Sequence, residues 1–368
     1  MKNYLDFEKE IKALEQEVDS LKSPFGSEGI SEVDTNRIKN TQEAINRKLE
    51  EIYSNLNSWQ KTQVARHEDR PRANFYIKKI FTQFTLLSGD RYFGDDKSVI
   101  AGFGLIDNKS VLIIGQEKGE DLNSRIERNF GMMRPEGYRK CIRLMKLADR
   151  FQIPVVSFID TPGAYPGLGA EQRGQASAIA NSIECSMSLT VPNISIIIGE
   201  GGSGGAIALA SSNKVIMLEN SIYSVISPEG CASILWRDPS KSLQAAEAMK
   251  LTAKDLLRLG VIDEIISEPL GGAHRDPESI ASDLKHSITK NLKSFENLSK
   301  EEIYDHRKAK FLQIGRGQGF NKSTNIEGGG LSYKDSKLNK LRSHIDKNKL
   351  IYGGLALLTV TSLIVLLF

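Results

Sequence analysis

The feature that most constrains this chain is a glycine-rich turn placed directly after a short apolar run. Residues 194–198 (ISIII) lead into residues 199–206 (GEGGSGGA), and a second apolar run, 155–159 (VVSFI), leads into residues 160–167 (DTPGAYPG). Both apolar runs are too brief for helices and are typical of buried strands. Strand-to-helix turns of this kind carry backbone N–H groups that have no intrahelical partner.

The rest of the central region alternates between short apolar runs and longer helical patterns. Further strands are predicted at 111–115 (VLIIG) and 215–217, and helices at 138–151 and 172–187. This alternation predicts an α/β domain in which helices cover parallel strands.

The first 60 residues have a helical period instead. Apolar side chains recur there at spacings of three and four, at Ile11, Leu14, Val18 and Leu21 and again at Ile45, Leu49, Ile52 and Leu56. A turn containing Pro24 and Gly26 separates the two stretches. Because a two-helix hairpin cannot bury its apolar stripe alone, we expect it to pack on the main domain or on a second copy.

The C-terminal end has a different composition. Residues 317–349 are polar, rich in glycine and serine and then basic, which predicts a flexible basic linker. Residues 350–368 contain no charge and would span roughly 28 Å as a helix. This length predicts a transmembrane tail anchor, with a basic flank on the cytoplasmic side; the alternative is a helix that packs on a partner.

Composition excludes several function classes. Forty-nine basic and 46 acidic residues give a net charge of +3, which is too balanced to indicate a nucleic-acid-binding surface. The cysteines Cys141, Cys185 and Cys231 form no CxxC pair, so we expect buried, reduced thiols, no metal site and a cytoplasmic location. The N-terminus lacks the apolar core of a secretory signal.

The glycine turns themselves indicate a chemistry. Glycines let a ligand oxygen approach the main chain closely, and fixed N–H donors there would form an oxyanion hole. The alternative is that the glycines only permit close packing of helix on strand. A nucleotide site is not indicated, because the GxxxxGK[ST] pattern is absent.

Six motifs in one order resemble the family of α subunits of bacterial and plastid acetyl-CoA carboxylase carboxyltransferase. The resemblance covers about residues 1–316 and rests on GDRYFGDD (89–96), NFGMMRPEGYRK (129–140), FIDTPGAYPGLGAEQRGQ (158–175), IGEGGSGGAIALA (198–210), YSVISPEGCASILW (223–236) and EPLGGAHRDPE (268–278).

The resemblance implies a crotonase-like fold, a spiral of ββα units, over residues 71–316, preceded by the helical hairpin in residues 1–70. It implies transfer of a carboxyl group from carboxybiotin to acetyl-CoA, giving malonyl-CoA in the first committed step of fatty acid biosynthesis. The implied partners are a zinc-ribbon β subunit in an α2β2 heterotetramer, the biotin carboxyl carrier protein and biotin carboxylase. Biotin would come on the carrier protein, and this chain would hold no metal.

The resemblance also implies roles for backbone amides and side chains. Amides of the second turn would hold the ureido oxygen of biotin, with candidates Gly201, Gly202, Gly204 and Gly205. Amides of the first turn would be companion donors, with candidates Gly163 and Ala164. Candidates for substrate contacts are Tyr165, Arg173 and Glu200, while Glu229 could be either an acceptor or a helix cap. No protein base is required, because the biotin nitrogen that loses the carboxyl group can take the methyl proton of acetyl-CoA.

Two departures from the family pattern concern histidines. Ser88 and Gln116 stand where the family commonly has histidine, which argues either against an essential acid or base at these positions or for a divergent enzyme. Two competing functions are compatible with the same fold. A Clp-like serine peptidase would use Ser203 as its nucleophile and would need a base. A non-catalytic scaffold would keep the fold and tether the carboxylase to a membrane.

Overall fold

A computed structural model of the chain describes residues 3–22, 25–26, 29–30 and 35–315. The helices in this part are α1 (Lys9–Lys22), α2 (Thr35–Ser54), α3 (Ser58–Ala65), α4 (Ala73–Ile80), α5 (Leu122–Glu127), α6 (Pro135–Arg150), α7 (Leu168–Gln172), α8 (Gln175–Ser188), α9 (Ser203–Ala210), α10 (Pro228–Trp236), α11 (Ser242–Met249), α12 (Ala253–Arg258), α13 (Pro277–Lys293) and α14 (Lys300–Gln313). The strands are β1 (Phe25–Gly26), β2 (Gly29–Ile30), β3 (Thr82–Leu86), β4 (Val99–Ile106), β5 (Lys109–Gln116), β6 (Val155–Thr161), β7 (Asn193–Gly202), β8 (Lys214–Leu218), β9 (Ile222–Ser224) and β10 (Glu264–Ile266).

One large sheet organises the domain, with the order β10-β8-β7-β6-β5-β4-β3 and with β9 paired to the end of β7. Pairing from β5 through β6, β7 and β8 to β10 is parallel, whereas β3, β4 and β5 pair antiparallel. The four predicted apolar runs are confirmed as β5, β6, β7 and β8, and so is the α/β class. The sequence-based expectation of parallel strands missed the antiparallel edge formed by β3, β4 and β5. In the hairpin of β4 and β5 no helical segment separates the strands, so the alternation of strand and helix that predicts parallel pairing does not apply there.

The central strands are buried because helices cover both faces of the sheet. Along β6, Val155 and Ile159 belong to a core shared with α6, α8 and α9. Val156 and Phe158 alternate with them and belong to a second core shared with α4 and α13. This arrangement explains why β6 and β7 read as continuous apolar runs, and it holds their carboxyl ends rigidly side by side.

The helix predicted over 172–187 is confirmed as α8, which begins slightly later, at Gln175. Gly174 is the N-cap residue of α8 and adopts a left-handed conformation with φ of 81°. Glycine adopts this conformation without a Cβ penalty, and it separates α8 from the short helix α7 that ends at Gln172.

The N-terminal hairpin is confirmed in the described residues as α1 packed on α2. Its shared core consists of apolar side chains at the predicted spacing, Ile11, Val18, Ile45 and Leu49. Arg275 of the main body ties this hairpin down, with Nη1 at 2.5 Å from Glu15 and Nη2 at 3.4 Å from Glu8.

Two histidines lie beneath this contact. The rings of His67 and His274 stack with centroids 3.8 Å apart, and His67 Nε2 lies 3.2 Å from Asn3 O. The side chain of His67 is buried. Burial, then the neighbouring His67 and Arg275, lower the pKa of His274 to about 3. Burial likewise lowers the pKa of His67.

No helix within the described ranges is long and apolar enough to cross a membrane. The predicted linker (317–349) and tail anchor (350–368) lie outside the described residues.

Candidate active site

The two glycine turns meet at the carboxyl ends of neighbouring strands. Thr161, the last residue of β6, pairs with Gly201 near the end of β7, and β7 also pairs with β9 through Gly201 and Tyr223. The first turn then runs through 162–167 into α7, and the second enters α9 directly at Ser203. The predicted site residues of both turns are thus brought to one edge of the sheet.

Two of the candidate glycines are required by the contact between the turns. A Cβ on Gly202 would lie 2.1 Å from Pro162 O, and a Cβ on Gly205 would lie 2.7 Å from Gly163 O. In contrast, a Cβ on Gly204 would meet only Ile179, at an ordinary 3.5 Å. Gly202 and Gly205 are therefore needed for close packing, because the absence of a side chain at these positions lets the two turns contact each other.

The amides of the first turn are not equivalent. Gly163 N–H donates to Thr161 Oγ1 at 3.2 Å, and the same hydroxyl donates to Gly163 O at 2.7 Å. Ala164 N–H has no hydrogen-bond partner among the residues that the structure describes. Of the two predicted donors in this turn, Ala164 is open and Gly163 is engaged internally.

The amides of the second turn divide in a similar way. Gly201 and Gly202 lie within the strand pairing of β7 with β9. α9 begins at Ser203, which itself has a left-handed φ of 50°, and the N-cap residue, Gly202, has no side chain to cap the first turn of α9. Helix geometry leaves the N–H groups of residues 203–205 without i−4 carbonyl partners. Ser203 is exposed and Gly204 is half-buried, so this helix end is accessible from solvent.

The buried carboxylate of Asp160 connects the first turn to the second. Asp160 is 1% exposed, and its Oδ1 accepts from Glu200 N–H at 3.0 Å and lies 2.7 Å from Lys118 Nζ. Its Oδ2 lies 3.1 Å from Arg72 Nη1. Burial alone would raise the pKa of Asp160, but the cations of Lys118 and Arg72 hold it below its ordinary value. Asp160 is therefore an ionised clamp between the ends of β6 and β7.

Glu200, a predicted substrate contact, is occupied by protein cations. Its Oε1 lies 2.6 Å from Arg66 Nη2, and its Oε2 lies 3.5 Å from Lys118 Nζ. Arg66 also binds Glu229 at 2.6 Å. The side chain of Glu200 thus extends the charge network under the turns.

Gln116 replaces a histidine of the family pattern at the end of β5. Its Nε2 donates to Gly205 O at 2.7 Å in a buried setting. A neutral amide at this position supports the second turn without titrating, as expected if no acid or base is needed there.

The remaining two predicted substrate contacts border the first turn. Arg173 is ion-paired with Glu136 at 2.9 Å and lies over the ring of Phe93 at 4.4 Å. The ring of Tyr165 lies under the Arg134 guanidinium at 4.5 Å. Both side chains therefore already have protein partners beside the turn.

The peptidase alternative finds no support in the described residues. The hydroxyl of Ser203 has no hydrogen-bond partner there, and the stacked His67 and His274 serve the N-terminal contact instead. Cys141, Cys185 and Cys231 are free and buried, as predicted. No group of His, Cys, Asp or Glu in the described ranges is arranged to hold a metal ion.

Sequence reasoning missed Lys118, Arg66, Arg72 and Asp160 as members of the site. Asp160 stands at the start of the first turn, so its position was a usable signal. The three cations come from segments 42 to 163 positions away from their acidic partners, as given by the Lys118–Asp160 and Arg66–Glu229 pairs. Nothing in local sequence spacing indicates such pairing.

The family model and the related proteins that match this chain all belong to one family of carboxyltransferases. Residues 4–315 match the family model described as "Acetyl co-enzyme A carboxylase carboxyltransferase-like". A protein of Pelagibacter ubique named acetyl-coenzyme A carboxylase carboxyl transferase subunit alpha is 65% identical, over 97% of this chain and 98% of that protein. A protein of the same name from Nitrobacter winogradskyi is 53% identical, over 86% of this chain and 98% of that protein.

Solved structures share the fold at low identity. A Pseudomonas malonate decarboxylase hetero-tetramer in complex with coenzyme A gives a TM-score of 0.53 at 14% identity, covering 67% of this chain and 100% of that chain. Transcarboxylase 12S gives a TM-score of 0.50 at 18% identity, covering 61% of this chain and 41% of that chain. The expected crotonase-like fold is thereby confirmed.

Proposed function

The chain belongs to the acetyl co-enzyme A carboxylase carboxyltransferase-like family, and from that premise we propose that its two glycine turns hold the ureido oxygen of carboxybiotin during carboxyl transfer. The overall reaction moves the carboxyl group to acetyl-CoA and forms malonyl-CoA. Carboxybiotin supplies an activated carboxyl group, and negative charge develops on the ureido oxygen as that group leaves. The chain's contribution is to stabilise this charge.

The observation that carries the proposal is the set of open amides where the turns meet. Ala164 N–H lacks a partner among the residues that the structure describes, and it lies beside the uncapped first turn of α9, since a Cβ on Gly205 would be 3.0 Å from Ala164 N. These donors are neutral and belong to the backbone. A preorganised donor of this kind contributes about 3 to 4 kcal/mol to transition-state stabilisation.

Thr161 orients the Ala164 donor. Its hydroxyl donates to Gly163 O, and in a planar trans peptide the Gly163 carbonyl and the Ala164 N–H point in opposite directions. Holding the carbonyl therefore fixes the direction of the N–H. The Asp160 clamp acts similarly on a larger scale, because it ties the first turn to Glu200 N–H of the second.

Proton transfer is left to the reactants. The carboxylates nearest the turns, Asp160 and Glu200, are both ion-paired with Lys118, Arg72 or Arg66, so neither is free to accept a proton from substrate. We further propose that a β subunit, with its own zinc ribbon, supplies most of the CoA site in an α2β2 assembly. The biotin carboxyl carrier protein would deliver biotin, and the enzyme would act in the cytoplasm.

The test is the reverse reaction. The full chain is purified alone and with a β subunit, and biotin-dependent decarboxylation of malonyl-CoA is measured. Activity that requires both chains supports the proposal. No activity from the reconstituted pair would favour the scaffold alternative, whereas peptide hydrolysis that disappears in Ser203→Ala would favour the peptidase.

A further inference from the structure

A cavity of about 850 Å³ lies outside the glycine turns, between α6, α8 and the loop over residues 89–96. Its lining is apolar at Ile142, Cys185 and Leu189. Four cations also line it, namely Arg91, Arg139, Arg143 and Lys146. The volume is within the range of small-molecule sites, and the combination of basic and apolar lining is unlike an ordinary solvated helix face.

The acidic side chains of the cavity pair directly with only one of these cations, Arg139. Asp90 Oδ2 is bound to Arg139 Nε at 2.7 Å, and Asp149 Oδ1 accepts from Thr190 N at 2.6 Å. Glu184 is exposed on α8 and forms no ion pair with the cations of α6 in the described structure. Arg91 and Lys146 have no hydrogen-bond or ion-pair partner among the described residues, so neither cation has a counter-charge in direct contact.

The side chain of Arg143 is held in place by the backbone, and Arg91 lies in a strained backbone conformation. Arg143 Nη2 donates to Gly89 O at 2.9 Å and to Ser88 O at 3.2 Å. Arg91 adopts a left-handed conformation with φ of 64°, which costs a non-glycine residue about 1 to 2 kcal/mol. Strained residues of this kind persist where the surrounding structure fixes them, and they cluster at ligand sites.

The loop that carries Arg91 is rigid. The Asp90 carboxylate accepts from the backbone N–H groups of Tyr92, Phe93 and Gly94 at 2.8 to 3.0 Å. Burial, and then the nearby charge of Arg91, lower the pKa of Arg143, as expected for two neighbouring like charges that repel one another. An anion between them would remove that repulsion.

We propose that this cavity binds a small molecule that carries two or more phosphate charges. Arginine forks and a lysine ammonium suit phosphate oxygens, and the apolar floor suits the uncharged part of a nucleotide-sized ligand. The phosphate could come from a nucleoside diphosphate or from the 3′-phosphorylated nucleotide end of CoA. The site is separate from the turns, so it does not depend on the proposed carboxyl transfer.

The test is calorimetric titration of the full chain, alone and with β, using inorganic pyrophosphate, ADP, CoA and dephospho-CoA. We expect saturable binding of pyrophosphate that weakens as salt is added. The double variant Arg91→Gln/Lys146→Gln should weaken binding by about tenfold or more, because charge-assisted hydrogen bonds are lost. The matched control Lys78→Gln/Lys293→Gln removes two exposed charges elsewhere and should leave the Kd unchanged.

The ligands identify the source of the phosphate. Tight binding of CoA together with weak binding of dephospho-CoA would support the proposal and identify CoA as the ligand. Binding of ADP as tight as that of CoA would support the proposal and identify a free nucleotide as the ligand. The proposal is overturned if none of the four anions binds saturably, or if the control pair weakens binding equally. It is also overturned if the Arg91→Gln/Lys146→Gln variant no longer associates with the β subunit while the unmodified chain binds none of the anions. That result would assign the cations to the subunit interface.

Discussion

The contact between the two turns can be broken by a single methyl group. In Gly202→Ala the new Cβ would lie 2.1 Å from Pro162 O, whereas Cβ atoms in proteins essentially never approach closer than 3.0 Å. The neighbour is backbone, so the turns must separate by about 1 Å. A misplacement of this size costs about 100-fold in rate when donors must meet a reacting atom. Overpacking should also lower the free energy of unfolding by about 1 to 3 kcal/mol.

Gly204→Ala is the matched control. The same methyl group is added two residues later, where it meets only Ile179 at 3.5 Å, so the turns keep their contact. We expect kcat for biotin-dependent malonyl-CoA decarboxylation to fall by about 100-fold in Gly202→Ala and to stay within about fivefold in Gly204→Ala. The account is refuted if Gly202→Ala turns over at the wild-type rate, or if both variants lose activity equally while remaining folded.

Four further outcomes can be measured. Thr161→Val should lower kcat by about tenfold or more because the Ala164 donor loses its orientation, and Thr161→Ser should restore it; equal rates in both would contradict this. Asp160→Asn should lower the free energy of unfolding in urea by about 3 kcal/mol, since two buried cations lose their counter-charge; an unchanged midpoint would contradict this. The pKa of His274 is lowered to about 3 in the folded protein, whereas an unfolded histidine has a pKa of about 6.5. The free energy of unfolding should therefore be constant above about pH 6.5 and should fall by about 1.4 kcal/mol per pH unit below it, for each proton that the unfolded chain takes up. The variant His274→Phe should flatten that slope. The predicted tail anchor is tested by comparing the full-length protein with a variant that lacks residues 334–368, whose turnover should be intact; full-length protein that is soluble without detergent would exclude the anchor.

Much of the fold follows from local patterns. The apolar runs that became β6 and β7 are bounded by glycine turns and are flanked by helical periodicity, so their type and order were predictable. The hairpin was predictable from its spacing of three and four. The boundary between residues 70 and 71 stays a prediction.

The site was predictable only in part, because its function depends on which backbone groups remain unpaired. Sequence assigned Gly163 and Ala164 equal roles, yet only a structure distinguishes the engaged amide from the open one. The partners of Asp160 and Glu200 come from distant segments, and long-range charge pairing leaves no local pattern. The exact start of α8, after the left-handed Gly174, was also hidden, since glycine is tolerated within helices at a modest cost.

The most direct test of the central claim removes one backbone donor without changing any side chain. Replacing the Ala164 residue by lactic acid converts its N–H into an ester oxygen, so the open donor disappears while the methyl group stays. The account predicts that kcat for biotin-dependent malonyl-CoA decarboxylation falls by about 100- to 1,000-fold with little change in Tm. An ester variant that turns over at the unmodified rate would contradict it.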